Sequence, residues 1–201
     1  VKLHPEAVLS GLDDSQIGRL RDYAGMLAGQ GADIGVVSAG DRDRVWDRHV
    51  LDSLRALPCL TPESRTLADV GSGGGLPGIP LAVARPGTSV SLIESRGGRV
   101  AFLEKAVQDL ALSNARVLHA RAEEVAERHD VCTARALANP RSAWRLASPL
   151  LVPGGRMVYF AGRSFRETDL EEMAGEGVTT NICAAALFPG SGSLVIMQFG
   201  S

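Results

Sequence analysis

Lysine is nearly absent. Lys2 and Lys105 are the only two, so nineteen of the 21 formally basic residues are arginines, a bias that coding-sequence composition explains as readily as function. Cysteine is scarce as well. Cys59, Cys132 and Cys183 lie far apart, with no C-x-x-C pair and no histidine at ligand spacing. That pattern predicts neither a zinc site nor a disulfide framework, and it sets a reducing cytoplasm as the expected setting. No apolar run approaches the roughly 18 residues of a membrane span, and residues 1–10 hold no apolar signal core. The chain is therefore expected to be cytoplasmic, free of membrane and metal, and complete or nearly so. Charge of one sign is lacking too: 21 basic residues face 23 acidic ones, for a net charge of −2. This balance excludes a general nucleic-acid coating protein but leaves room for a local basic face. What is present, 201 residues of which 45% are apolar and 22% charged, suffices for one soluble core.

Along the chain the hydrophobic period changes once. Ile17, Leu20, Ala24 and Leu27 recur at helical spacing and stop near Gly29 and Gly31; Val45, Val50, Leu51, Leu54 and Leu57 repeat the pattern up to Pro58. Residues 1–60 thus read as a helical N-terminal extension, and residues 61–201 as a second region of a different kind. There, seven short runs have strand character: Thr66 to Val70, Ser89 to Glu94, Ala115 to His119, Val131 to Ala134, Arg156 to Phe160, Val178 to Leu187 and Ser193 to Phe199. Helical stretches, notably Arg99 to Leu110 and Pro140 to Ala147, fill the gaps. Strands alternating with helices predict an α/β fold with a mostly parallel sheet covered on both faces. The last two runs are joined by too few residues for a crossover helix, so they are expected to form an antiparallel hairpin. That outline is the seven-stranded, Rossmann-like class I methyltransferase variant of the doubly wound fold.

The most informative segment is Leu67 to Gly78. A buried strand runs into a loop whose glycines let the backbone approach a ligand, then into a helix whose first amides face it. G-x-G-x-x-G at Gly73, Gly75 and Gly78 is shared with dinucleotide enzymes. Asp69-x-Gly71-x-Gly73-x-Gly75 is more restrictive, because it adds a strand-end carboxylate suited to a ligand's cationic amino group. Glu94, nineteen residues after Gly75, ends the next strand where an acidic side chain accepts hydrogen bonds from ribose hydroxyls. The absence of a second substrate domain, the lack of a Tyr-x-x-x-Lys pair and the antiparallel end favour S-adenosyl-L-methionine over nicotinamide. Ala122 and Glu123 follow the third strand, where the sheet's carboxyl edge meets an adenine ring; a plain helix start with dipole-matched carboxylates accounts for them equally well.

Arg48 to Leu54, Asp69 to Leu81, Ala84-Arg85-Pro86, Arg99 to Leu103, Arg121-Ala122-Glu123 and Arg135-Ala136 together resemble the bacterial small-subunit (16S) ribosomal RNA guanine-N7 methyltransferases, also called glucose-inhibited division protein B. Leu-Pro-Gly-Ile-Pro-Leu after the glycine loop is the most specific part. The resemblance implies S-adenosyl-L-methionine held by Gly71, Gly73 and Leu76, Glu94 at the ribose, Ala122 and Glu123 near adenine, and Arg135 at the substrate-facing edge. It also implies small-subunit ribosomal RNA, or the ribosomal subunit, as partner. The substrate half departs from the family pattern at Gly35-Val36-Val37, Gly40, Gly98, Ala161-Gly162 and Gly192-Ser193. Those departures keep open a relative acting on another RNA or a small molecule, or a cofactor- or RNA-binding protein without turnover.

Attack by guanine N7 on a sulfonium methyl uses a lone pair that carries no proton, so no general base is assigned, and His49 reads best as a packed helix residue. Arg135, ending an apolar strand, is a candidate for phosphate or for the O6/N7 edge of guanine; a salt bridge is its alternative. Trp144 and Phe160 read as core. Arg163 and Arg166, after the fifth strand, are candidate substrate contacts. They belong to a stretch, residues 131–166, that holds six arginines and no Asp, Glu or Lys, which predicts a positive block around the methyl donor, although Arg156 is expected at the far end of its strand so that not all six face one ligand.

Overall fold

A computed structural model describes residues 5–137, 139–162, 165–166, 168–184 and 192–200. The elements in order are helix α1 (Asp14–Met26), helix α2 (Asp52–Leu54), strand β1 (Thr66–Val70), helix α3 (Gly78–Ala84), β2 (Ser89–Glu94), α4 (Gly97–Asp109), β3 (Ala115–His119), β4 (His129–Arg135), α5 (Pro140–Ala147), β5 (Leu151–Phe160), α6 (Thr168–Ala174), β6 (Val178–Ala184) and β7 (Leu194–Phe199). Short 3₁₀ and π turns fill out the first sixty residues, including π turns at Leu27–Gly31 and Trp46–Leu51 that widen the ends of the two expected helices.

The seven strands form one sheet in the order β3-β2-β1-β4-β5-β7-β6. Pairs among β1 to β5 are parallel, and β7 runs antiparallel to both β5 and β6. The order reverses between β1 and β4, the switch point where open α/β sheets bind ligands at the strands' carboxyl ends. This is the expected Rossmann-like sheet with its antiparallel end. Three strands match their predicted bounds residue for residue; β5 starts five residues early because Leu151 pairs with His129 ahead of Arg156 with Val131.

Alternation along β1 feeds two cores. Leu67 belongs to one apolar cluster with Leu20, Leu54, Ile79, Leu92 and Leu103, while Ala68 and Val70 belong to a second with Ala143, Trp144, Ala147 and Met157. The N-terminal helices thus share one continuous apolar cluster with α3, α4 and the sheet, and Trp144 and Phe160 are core residues, 5% exposed each. Asp13 caps α1 in a reciprocal capping box with Gln16, whose side chain also donates to the Val83 carbonyl, so the cap fixes the helix against α3.

Two expectations are corrected. Cys59 and Cys183, read as unpaired, form a disulfide across 124 residues. The turn Leu57–Cys59 and edge strand β6 meet only in the folded chain, a proximity that linear spacing does not carry. Cys132 remains a thiol, and burial pushes its pKa up to about 12. The positive block of residues 131–166 also fails to gather on one face. Arg141 pairs with Glu176, Arg166 with Asp169 and Arg135 with Asp52, and Arg156 lines a small cleft with Glu63 and Asp130. Three of the six arginines thus have a carboxylate partner, Asp52 and Glu176 from far along the chain and Asp169 from the next turn.

His49 and His129 have pKa values lowered chiefly by burial, His49 to about 4. A histidine neutral when folded and protonated when unfolded stabilises fully above about pH 6.5 and loses that contribution as pH falls toward the folded value. Asp69, raised to about 6 by burial, acts in the opposite sense, its cost of ionisation vanishing as pH falls from about 6 to its unfolded value. Urea melts between pH 7 and pH 4.5 are expected to show a shallower loss of stability in His129→Phe than in the parent chain; parallel profiles would contradict the assignment.

Candidate functional site

The loop after β1 owes its shape to three glycines with positive φ: Gly71 at 68°, Gly73 at 59° and Gly75 at 91°. They differ in surroundings. A Cβ on Gly73 would meet nothing closer than 3.9 Å, whereas on Gly75 it would lie 2.5 Å from Ile79 Cδ1 and 3.0 Å from the Tyr23 hydroxyl. Gly73 therefore opens to the cleft and Gly75 lets α3 and α1 pack beneath the loop. Gly73→Ala is expected to cost about 1–2 kcal/mol for the left-handed backbone alone, and Gly75→Ala about 2–5 kcal/mol once overpacking is added. Equal destabilisation of the two in denaturant melts would contradict this division.

Glu94 reaches the loop from the end of β2. It is 5% exposed; Oε2 accepts from the Gly73 amide at 2.9 Å, and Oε1 from the amides of Ser95 and Arg96 at 2.9 Å each. Arg99 Nη1 stands 3.8 Å from Oε2. Asp69 sits lower, 1% exposed, with Oδ1 accepting from Thr133 Oγ1 at 2.7 Å and Oδ2 from the Gly78 amide at 3.1 Å. Burial raises its pKa to about 6 against these hydrogen bonds. Tyr23, fully buried on α1, donates to the Gly74 carbonyl at 2.5 Å, so the N-terminal helix clamps the glycine loop directly.

Two cavities meet at this loop. One, of about 480 Å³, is lined by Val70, Gly71, Glu94, Arg99, Ala122 and Glu123 among others. The second, of about 310 Å³, is lined by Val36, His49, Gly73, Leu76, Arg99 and Arg135 together with Gly71, Ser72 and Gly74 of the glycine loop. Gly71, Arg99 and Ala136 border both. Ala136 has φ of 52°, a strained value for a residue with a Cβ and of the kind that collects at ligand sites.

The sequence-predicted residues divide accordingly. Gly71, Gly73, Leu76, Glu94, Ala122, Glu123 and Arg135 line the cavities, while Asp69 and Gly75 line neither and support the loop from below. Arg166 is exposed beside Asp169 and lines neither, and Arg163 lies outside the described residues. Arg135 is 17% exposed and fully engaged by the protein. Its Nη2 lies 3.2 Å from Asp52 Oδ2 and donates to the Arg48 carbonyl at 2.9 Å; its Nη1 donates to the His49 carbonyl and Ser53 Oγ at 3.2 Å. Asp52 also holds Arg55 at 2.6 Å, and Arg55 donates to the Gly192 carbonyl at 2.8 Å. The salt-bridge alternative for Arg135 is the observed state, in a buried form. His49, read as a packed helix residue, and Arg99 line the second cavity as well, while Tyr23, which holds the loop from beneath, carried no sequence signal because the local pattern of its element reads only as helix.

Comparison with known proteins places this geometry among methyltransferases. A family model described as rRNA small subunit methyltransferase G matches residues 16–182. A protein named ribosomal RNA small subunit methyltransferase G from Salinispora arenicola is 46% identical over 151 residues, covering 71% of this chain and 62% of the relative. One of the same name from Mycolicibacterium gilvum is 41% identical over 161 residues, covering 78% and 70%. The match to the first thus spans less than two thirds of that relative's length. Among solved structures, ribosomal protein L11 methylase from Lactobacillus delbrueckii subsp. bulgaricus superposes with a TM-score of 0.58 over 77% of this chain and 80% of that one, at 14% identity, a likeness of fold.

Proposed function

The chain belongs to the rRNA small subunit methyltransferase G family, and from that membership we propose that it transfers the methyl group of S-adenosyl-L-methionine to N7 of a guanine in small-subunit (16S) ribosomal RNA, in the cytoplasm. The observation that carries the reading is the junction of the two cavities at the glycine loop, with Glu94 locked onto the Gly73 amide. A cavity of about 480 Å³ with a buried carboxylate on one wall and Ala122 and Glu123 on another fits an adenosine, the carboxylate facing two ribose hydroxyls.

The cofactor supplies a methyl group on a cationic sulfur, so no Lewis acid is required of the protein. The chain's own residues supply position. Gly71 and Gly73 would admit the ligand close to the backbone, Glu94 would hold the ribose, and Leu76 lines the second cavity, where the base would enter. N7 would attack with a free lone pair, and its positioning about 3–3.5 Å from the methyl carbon would account for most of the acceleration. Arg135, drawn inward by Asp52, shapes the substrate side of the junction.

Transfer of labelled methyl groups to small ribosomal subunits lacking the modification tests the proposal: label in 7-methylguanosine is expected, and none in any RNA would refute it. RNA affinity is expected to fall with salt at a log-log slope of roughly −0.7 per phosphate contact. A flat dependence would favour a small-molecule substrate instead.

A further inference from the structure

The second cavity holds a histidine that the reaction as described leaves unused. His49 lines it beside Gly73 and Arg135. Its Nδ1 lies 3.2 Å from Arg135 Nη2. A guanidinium has donors and no acceptor, so Nδ1 has to accept, and the neutral ring then carries its proton on Nε2. The backbone that carries the ring is held as well, because Ser53 Oγ and Arg135 Nη1 both donate to the His49 carbonyl. Among the described residues Nε2 is buried with no hydrogen-bond partner. Buried donors are seldom left so, and here the fold has fixed the tautomer that makes this nitrogen a donor while the described residues supply no acceptor for it.

We propose that His49 recognises the target base, donating from Nε2 to O6 of guanine while the neighbouring N7 receives the methyl group. This inference rests on the guanine-N7 reading above. Guanine presents N7 and O6 side by side, whereas adenine places an amino donor where O6 would be, so a fixed donor accepts the first base and rejects the second. The charge balance agrees. Methyl transfer moves a positive charge from sulfur to the base, and a neutral ring adds no repulsion; burial, and then the Arg135 guanidinium, hold the His49 pKa at about 4. Nε2 is covered by the surrounding protein, so the wall around it has to shift as the base enters.

The test is a cycle between protein and substrate. Parent and His49→Ala enzymes are compared on an RNA carrying guanine or 2-aminopurine, which keeps N7 and lacks O6, at the methylated position. Each single change is expected to lower kcat/KM by about 10- to 100-fold, the span of one lost hydrogen bond. The double change is expected to cost no more than the analogue costs the parent enzyme. Losses that multiply would overturn the proposal. His49→Gln, which restores an N–H donor, is expected to recover part of the rate on guanine and none on the analogue, and serves also if the alanine variant fails to fold. Cofactor affinity of His49→Ala is expected to stay within about twofold by calorimetry; a tenfold loss would move His49 to the cofactor's carboxylate and overturn the base contact. Absence of 7-methylguanosine with the parent enzyme would refute the N7 reading and this inference together, whereas multiplying losses with an active parent would refute this inference alone.

Discussion

Glu94→Ala is expected to weaken S-adenosyl-L-methionine binding by at least about 100-fold. A hydrogen bond to a charged acceptor contributes roughly 1.5–3 kcal/mol, and in the proposed complex the carboxylate would meet two ribose hydroxyls, so about 3–6 kcal/mol, or roughly two to four decades of affinity, would depend on it. The loss extends to the loop. The same carboxylate holds the amides of Gly73, Ser95 and Arg96, so its removal also frees the backbone that the ligand has to meet. Glu94→Gln keeps an acceptor and should fall between the two. Titration calorimetry with a parallel melt reads the effect, and unchanged affinity in a folded variant would contradict the ribose assignment.

Asp52→Ala is expected to be the most destabilising single change. Asp52 is 4% exposed and faces two guanidinium groups, Arg55 at 2.6 Å and Arg135 at 3.2 Å. Removing one partner of a buried ion pair costs about 3–5 kcal/mol, chiefly because the remaining charge is left uncompensated. In a domain of this size that corresponds to a fall in Tm of roughly 6–20 °C. Replacing Asp52, Arg55 and Arg135 together by apolar residues of similar volume is expected to cost less than Asp52→Ala alone. If the triple variant is the less stable, the network stabilises through its hydrogen bonds and not through charge balance. The triple variant should nevertheless lose methyl transfer, since Arg135 fixes the carbonyl and ring of His49.

What the sequence made legible follows from the range of the interactions concerned. Strands β1, β2 and β3 and helix α5 were readable to the residue because alternation, β-branched content and Pro140 at a helix start are local signals. The glycine loop was readable because backbone with positive φ admits few residue types, and Glu94 because its distance from that loop is set by one helix and one strand. Tyr23 on Gly74 and Cys59 on Cys183 join residues 51 and 124 positions apart, and no local period encodes them. The arginine-rich stretch misled for a related reason. Charge counted along the chain omits Asp52 and Glu176, which folding brings alongside Arg135 and Arg141. Asp69 shows the limit within a motif: the spacing correctly placed a carboxylate at the strand's end, while Thr133 and the Gly78 amide, which occupy it, lie on other elements.

The scarcity of lysine and the near-neutral charge leave the substrate side dependent on geometry more than on a broad basic surface. The most direct measurement is mass spectrometry of small-subunit ribosomal RNA nucleosides, from cells with and without this protein and from subunits incubated with it and S-adenosyl-L-methionine. One additional 7-methylguanosine per subunit, present only with the active protein, is the expected result. Identical nucleoside profiles in both comparisons would contradict the account.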